Sequence, residues 1–274
     1  LPAEGYVDYK YEFLMHRFAE DTWISDVQIS PENPAVLHHA NLAFVPPNGS
    51  KRFDFITGQV PGGEPMQLDE GQGFLIPKDA MLVLQIHYVT TGKPERDRIS
   101  VGFRYPRWKV KQRLRHMKVT TSRYTIPAGA AAHEVRASRT LKTDADAIAM
   151  FSHMHLRGRD MRFLAHTPDG KTETLLLIPN YSFDWQLAYR WKKGTRRFPK
   201  GTRIECIGHY DNSVFNPYNP DPSKSVRHGE QTYHEMFFGF FFYTDPNEAL
   251  NLRIDPTSGR VQTPLKAKGR RYFK

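Results

Sequence analysis

Apolar positions along this chain fall in short runs broken by Gly, Pro, Asn and Asp, and none carries the stripe of an amphipathic helix. Residues 7–15, 23–29, 35–44, 81–90 and 98–105 are rich in β-branched and aromatic side chains and predict strands. The second half repeats the style at 118–124, 133–140, 147–155, 161–167, 172–179, 185–191, 203–210 and 234–243. Strands recur about once per ten residues, with turn signals such as Thr167-Pro168-Asp169-Gly170 between them. That rhythm predicts an all-β protein of two tandem antiparallel, jelly-roll-like β-sandwich domains rather than βαβ units. The basic stretch from Arg107 to Lys118 separates two blocks with enough strands for a sandwich each, so domains are expected at 1–112 and 113–274.

Composition narrows the function classes. With 274 residues the chain suffices for one large domain or two ordinary ones. No apolar run approaches the length of a membrane span. The opening Leu1-Pro2-Ala3-Glu4 is not a signal peptide and lacks an initiator Met, as expected of a mature protein or an excised segment. The net charge of +10 suggests phosphate binding, but the cations concentrate at 107–118 and in the tail at 266–274 without a nucleic-acid motif. They read as solvated surface. Cys206 is the single cysteine, so an intrachain disulfide and a Cx2C site are excluded, and its apolar neighbours make it a small core residue.

The histidines carry the candidate chemistry. His153-Met154-His155 ends the apolar run 147–151 and precedes a basic turn. Residues two apart on a strand share a face, which sets the two imidazoles roughly 6 to 7 Å apart, a chelating distance. His38-His39 sits on another apolar run; adjacent strand residues face opposite ways, so both can meet one ion only at a bulge or a strand end. His87 lies in the strong strand LVLQIHY, where a lone histidine is more often a hydrogen-bonded core residue. A third ligand for the second pair is sought at Met236, which beside two phenylalanines also reads as core filler; His209 and His234 compete for that role.

The order His-His, then Leu-Gln-x-His-Tyr, then His-x-His-Leu-x-Gly, then a late Met resembles the copper type II ascorbate-dependent monooxygenases, the family of the peptidylglycine α-hydroxylating and dopamine β-hydroxylating enzymes. Segments 26–44, 82–105, 148–160 and 229–243 carry the likeness. Ser152-His153-Met154-His155-Leu156-Arg157-Gly158 and the Asn-Pro-x-Asn-Pro-Asp-Pro loop at 216–222 bring it nearest to bacterial members, often fused to cytochrome c or thioredoxin-like modules. The resemblance implies two copper ions per chain facing each other across a solvent-filled cleft. His38, His39 and His87 would hold an electron-transfer copper, and His153, His155 and Met236 the catalytic copper where dioxygen binds. It implies hydroxylation of a C–H bond of a small molecule with O2 and a reductant, either ascorbate or a redox partner, in a periplasmic or secreted setting. The thioether suits the reduced metal, since it is a soft ligand.

The chain also departs from that family. It lacks the disulfides of the animal enzymes. Where the peptide-hydroxylating member anchors its substrate carboxylate with Arg, Asn and Tyr, this chain has Phe151, Phe238 and Phe240. A non-peptide substrate that is more apolar or differently anchored is expected, bound by Phe151, Phe238, Phe240 and Trp185, with Tyr181 nearby and the loop 212–230 over the cleft. Two other functions compete: a copper-binding electron-transfer module without hydroxylase activity, and a β-sandwich interaction domain with incidental histidines.

Overall fold

The computed structural model describes residues 1–47, 53–60, 63 and 66–262. The basic tail at 266–274 lies outside them. The described residues contain strands and no helix, as the sequence pattern predicts. The first group of strands is β1 (Lys10–Phe13), β2 (Thr22–Ile24), β3 (Asp26–Pro31), β4 (Leu37–Val45), β5 (Asp54–Gln59), β6 (Gln72–Ile76), β7 (Met81–Tyr88), β8 (Ile99–Arg104) and β9 (Gln112–Arg113). The second comprises β10 (Arg115–Thr120), β11 (Thr125–Ile126), β12 (His133–Thr140), β13 (Ala145–His153), β14 (Gly158–His166) and β15 (Thr172–Ile178). It continues with β16 (Ala188–Arg190), β17 (Arg197–Phe198), β18 (Arg203–Tyr210), β19 (Val226–Arg227) and β20 (Phe238–Thr244).

Each group packs sheet on sheet. In the first, a sheet ordered β1-β7-β4-β5 faces the β2-β6-β9 and β3-β8 ladders. Ala40, Leu42 and Phe44 of β4 and Leu82, Leu84 and Ile86 of β7 point into the core between them. In the second, the sheet β10-β20-β13-β16 covers β12-β18-β14-β15, with Met150, Phe241, Phe163 and Cys206 between them. Cys206 is fully buried, and its sulfur packs where a Cβ on Gly239 would have to sit, so the core admits no side chain at that glycine. All ladders are antiparallel except β6 with β9.

Strand alternation positions the site. Since the even-numbered residues of β4 from Ala40 onward and of β7 face their own core, His39, Asn41 and Ala43 face outward, paired directly with His87, Gln85 and Val83. In the second group, Phe151 and His153 of β13 face outward beside Phe240 and Phe238 of β20. These two outward faces line a common cavity, so the candidate chemistry lies between the sandwiches rather than inside either one.

The structure differs from the sequence reading in several places. Residues 23–29 form two strands that part at Ser25, which donates both its backbone N–H and its hydroxyl to the carbonyl of Arg104. Strands β5 and β6 escape the pattern because they are short and interrupted by Gly58 and Gly73. The chain passes from one sandwich to the other at Leu114, between β9 and β10, but the segment after Thr244 turns back. Leu252 bridges to Val110, the Trp23 N–H donates to Gly259 at 2.8 Å, and Ile254 packs with Trp23. Gly259 adopts φ of 74° against Tyr105 and Thr22, a conformation and a fit that favour glycine.

Candidate metal centre

A bulge solves the geometry of the adjacent histidines. Pairing of β4 with β7 slips between Leu37 and His39, which breaks the alternation and lets neighbours turn to one side. His38 and His39 bring their Nδ1 atoms to 3.1 Å, and His87 lies directly across the ladder from His39. The three imidazoles each offer a nitrogen within 4.8 Å of the others. His39 and His87 are buried, with His39 Nε2 and His87 Nδ1 lacking any hydrogen-bond partner among the described residues. An orphaned buried acceptor costs about 1–3 kcal/mol, so the cluster is arranged for something that takes up nitrogen lone pairs.

The second pair forms where β13 ends. His153 is its last residue and His155 lies in the turn beyond, with ring centroids 5.1 Å apart. Glu235 holds that turn: its carboxylate accepts the N–H of His155 at 2.9 Å and of Arg157 at 2.7 Å. Burial pushes Glu235 up to about 8, against the pull of those N–H donors and of Arg157. Arg157, itself buried, donates to Asn212 and to the carbonyl of Tyr233. Tyr181 closes the other side by clamping the backbone of Met154 with its hydroxyl.

Hydrogen bonds choose the tautomers. Gln186 donates its amide to the carbonyl of Phe183, which turns its Oε1 to His153 Nδ1 at 2.8 Å. His155 Nδ1 lies 3.3 Å from the carbonyl of His234. Both oxygens only accept, so both Nδ1 atoms carry the proton and both Nε2 atoms present lone pairs. His155 Nε2 is buried without a hydrogen-bond partner among the described residues. Met236 shares a cavity of about 170 Å³ with His153, Phe151, Phe238 and Phe240.

The clusters are closer than the resemblance implies. The Tyr9 ring lies 4.7 Å from His87, 5.3 Å from His39 and 6.4 Å from His155. Phe183 stacks on His38 at 4.6 Å and reaches His155 at 5.9 Å. At this point two aromatic rings, rather than an open solvent-filled cleft, separate the groups. Burial pushes His87 and His153 down to about 4, and His39 and His155 also fall well below the usual imidazole range. All four are therefore neutral at pH 7, the form in which an imidazole ligates a metal.

Several expected participants stand elsewhere. His209 lies on β18, bound to Asp160 at 2.7 Å on the far sheet. The ring of His234 packs on Tyr233 at 4.6 Å, and only its carbonyl meets His155. Trp185 is exposed and does not line the cavity. The loop 212–230 braces the turn after His155, through Asn216 to Leu156 and Asn212 to Arg157, rather than covering the cavity. Sequence reasoning misses Tyr9, Phe183, Asp184, Gln186 and Glu235, because none belongs to a histidine motif. Asp184 bonds His38 Nε2 at 2.8 Å.

No protein-family model matches the chain, and no curated protein matches it. Among solved structures it is similar to that of infectious bursal disease virus Gt strain, at 13% identity and a TM-score of 0.27, covering 86% of this chain and 60% of that one. It is likewise similar to the infectious bursal disease virus VP2 subviral particle, at 12% identity and a TM-score of 0.26, covering 89% and 60%. The chain thus spans about 60% of the length of these viral chains.

Proposed function

We propose that this protein is a copper-dependent monooxygenase that hydroxylates a C–H bond of a small, non-peptide substrate using O2 and an external reductant. The observation that carries the reading is the pairing of two unlike nitrogen clusters. One consists of three imidazoles within 4.8 Å. The other is a His-x-His pair, 5.1 Å between ring centroids, of which His153 shares a cavity with the thioether of Met236.

Neutral imidazole suits copper in both oxidation states, and a thioether favours Cu(I), so the donor set fits copper at both places. His38, His39 and His87 would hold one ion, and His153, His155 and Met236 the other. Copper there would supply one-electron transfer and activation of O2. The chain's own residues have separable tasks. Gln186 and the carbonyl of His234 orient the second imidazole pair, and Asp184 orients His38. Phe151, Phe238 and Phe240 offer an apolar surface to a substrate in the neighbouring cavity. That cavity favours an enzyme over an electron-transfer module, which needs no substrate space. Ascorbate or a redox protein, such as a cytochrome c or thioredoxin-like module, would supply electrons in a periplasmic or secreted setting.

The test combines metal content with turnover. The reconstituted protein is expected to hold two coppers per chain and to consume O2 only when reductant and substrate are both present. X-ray absorption of the reduced protein should show a Cu–S component that disappears in Met236→Leu. One copper or none per chain, or a sulfur signal that survives the substitution, overturns the assignment.

A further inference from the structure

The cavity beside His153 does not end there. It shares Asn41, Phe55, Val60, Phe151 and Gln186 with a larger cavity of about 990 Å³ between the same two sandwiches. The two spaces are contiguous and differ in chemistry. The smaller has a wall of phenylalanines near His39, His153 and Met236, with Tyr11, Gln85 and Lys118 also lining it. The larger carries Arg104, Arg107 and Arg190 together with Trp108.

The register of β13 sets the distance between the two ends. Arg190 pairs with Ala149, Ala188 pairs with Phe151, and Gln186 continues the row to His153. Four residues of strand separate the Arg190 row from the His153 row, roughly 13 Å along the sheet. The guanidiniums are loosely matched. Arg104 lies 4.0 Å from Asp26, and Arg190 lies 3.7 Å from Asp69. Arg107 has no ion-pair partner among the described residues. Among the described residues, two carboxylates thus face three guanidiniums in a chain of net charge +10. Trp108 is fixed by donating its ring N–H to Gln72 at 2.8 Å.

We infer that the two cavities form one elongated site for an anionic arylalkyl compound. Its apolar end lies against Phe151, Phe238 and Phe240, and its carboxylate, or an equivalent anion, meets Arg107 and Arg190. Guanidinium forks match carboxylates in charge and geometry, and the aromatic wall takes the apolar end without a polar cost. The span sets a minimum length, so an acid whose carboxylate adjoins the ring cannot reach both ends. As a substrate assignment the inference rests on the monooxygenase reading; as a binding site it does not.

The experiment therefore uses the metal-free full chain, without O2 or reductant. Trp108 lines the cavity, so tryptophan fluorescence is titrated with 5-phenylpentanoate, 5-phenylpentanamide, 5-phenylpentylamine, benzoate and propionate. The long aryl acid should bind about tenfold more tightly than its amide, and more tightly than the amine or either short acid. Arg107→Gln and Arg190→Gln together should erase the preference over the amide, and Arg107→Lys with Arg190→Lys should retain part of it. Equal affinity for acid and amide, equal affinity for propionate, no binding at all, or a preference that survives both glutamines overturns the proposal. Binding as described without hydroxylation in the copper-loaded protein would sink the monooxygenase reading and leave this site standing.

Discussion

His38 Nε2 and Asp184 Oδ1 lie 2.8 Å apart although the two residues belong to opposite halves of the chain. Phe183 stacks on the same imidazole, and Gln186, two residues past Asp184, bonds His153. One short segment between β15 and β16 thus contacts both histidine clusters. Asp184→Asn should weaken metal affinity at the first cluster by about 10- to 100-fold, the usual effect of removing an outer carboxylate from a ligating histidine. Folding stability should change by less than about 1 kcal/mol, because the carboxylate is largely exposed. Competition titration with a copper chelator and thermal melting of the metal-free protein check the two halves of this expectation.

The clusters use different strands, so they should fail separately. His87→Ala should abolish metal binding at the first and leave the second able to take one ion, and His153→Ala should do the reverse. Metal analysis of both variants after dialysis is sufficient. Loss of both ions from either single change would mean one shared site.

Acid should destabilise the metal-free protein in a defined window. His87, His153 and His116 are all pushed down to about 4, chiefly by burial, with Lys118 and Arg113 also acting on His116. Folding depresses these values, so the unfolded chain binds the proton first and stability falls as pH drops from the ordinary 6.5 toward about 4. Below both values the loss levels off. The shift at His116 corresponds to up to about 3 kcal/mol. His116→Phe, which keeps a ring against Phe240 and Phe242, should flatten the fall in melting temperature between pH 6.5 and 4.5 without altering copper content. An unchanged slope would rule out His116 as a contributor.

A glycine-extended peptide should be a poor substrate. Its carboxylate lies one carbon from the position to be hydroxylated, which would place it among Phe151, Phe238 and Phe240. The rings offer a carboxylate no hydrogen bond, and Lys118 on the same cavity is engaged with the carbonyl of Phe53, so burial there costs several kcal/mol. Reductant-driven O2 uptake with such a peptide and with phenylalkyl compounds makes the comparison, and efficient peptide turnover that requires the carboxylate would refute it.

The strand rhythm and the histidine spacing were legible because both are local. A bulge at His38-His39 is the condition that adjacency on a strand imposes, and the slip between Leu37 and His39 meets it. The positions of Phe151, Phe238 and Phe240 in one cavity follow from alternation on neighbouring strands. What the pattern could not carry was contact between distant segments. Tyr9 reads as one aromatic in a leading strand, yet its ring touches histidines from both halves. Glu235 reads as an ordinary charge beside Met236, but it is fully buried because two backbone N–H groups and Arg157 converge on it. Trp185 looked like the pocket aromatic of its segment; the chain turns so that Phe183 and Gln186 face inward while Trp185 faces out.

The return of residues 245–262 to the first sandwich has a mechanical consequence. Were the chain nicked between Leu114 and Arg115, the second fragment would still carry Leu252, Ile254 and Gly259 beneath Trp23 and Val110. The two pieces would remain one body under native conditions and part only on denaturation. The halves are therefore held at several places, among them the aromatic contacts around the histidines, the Arg190–Asp69 pair and this distant tail, and a hinge motion that opened one would strain the others.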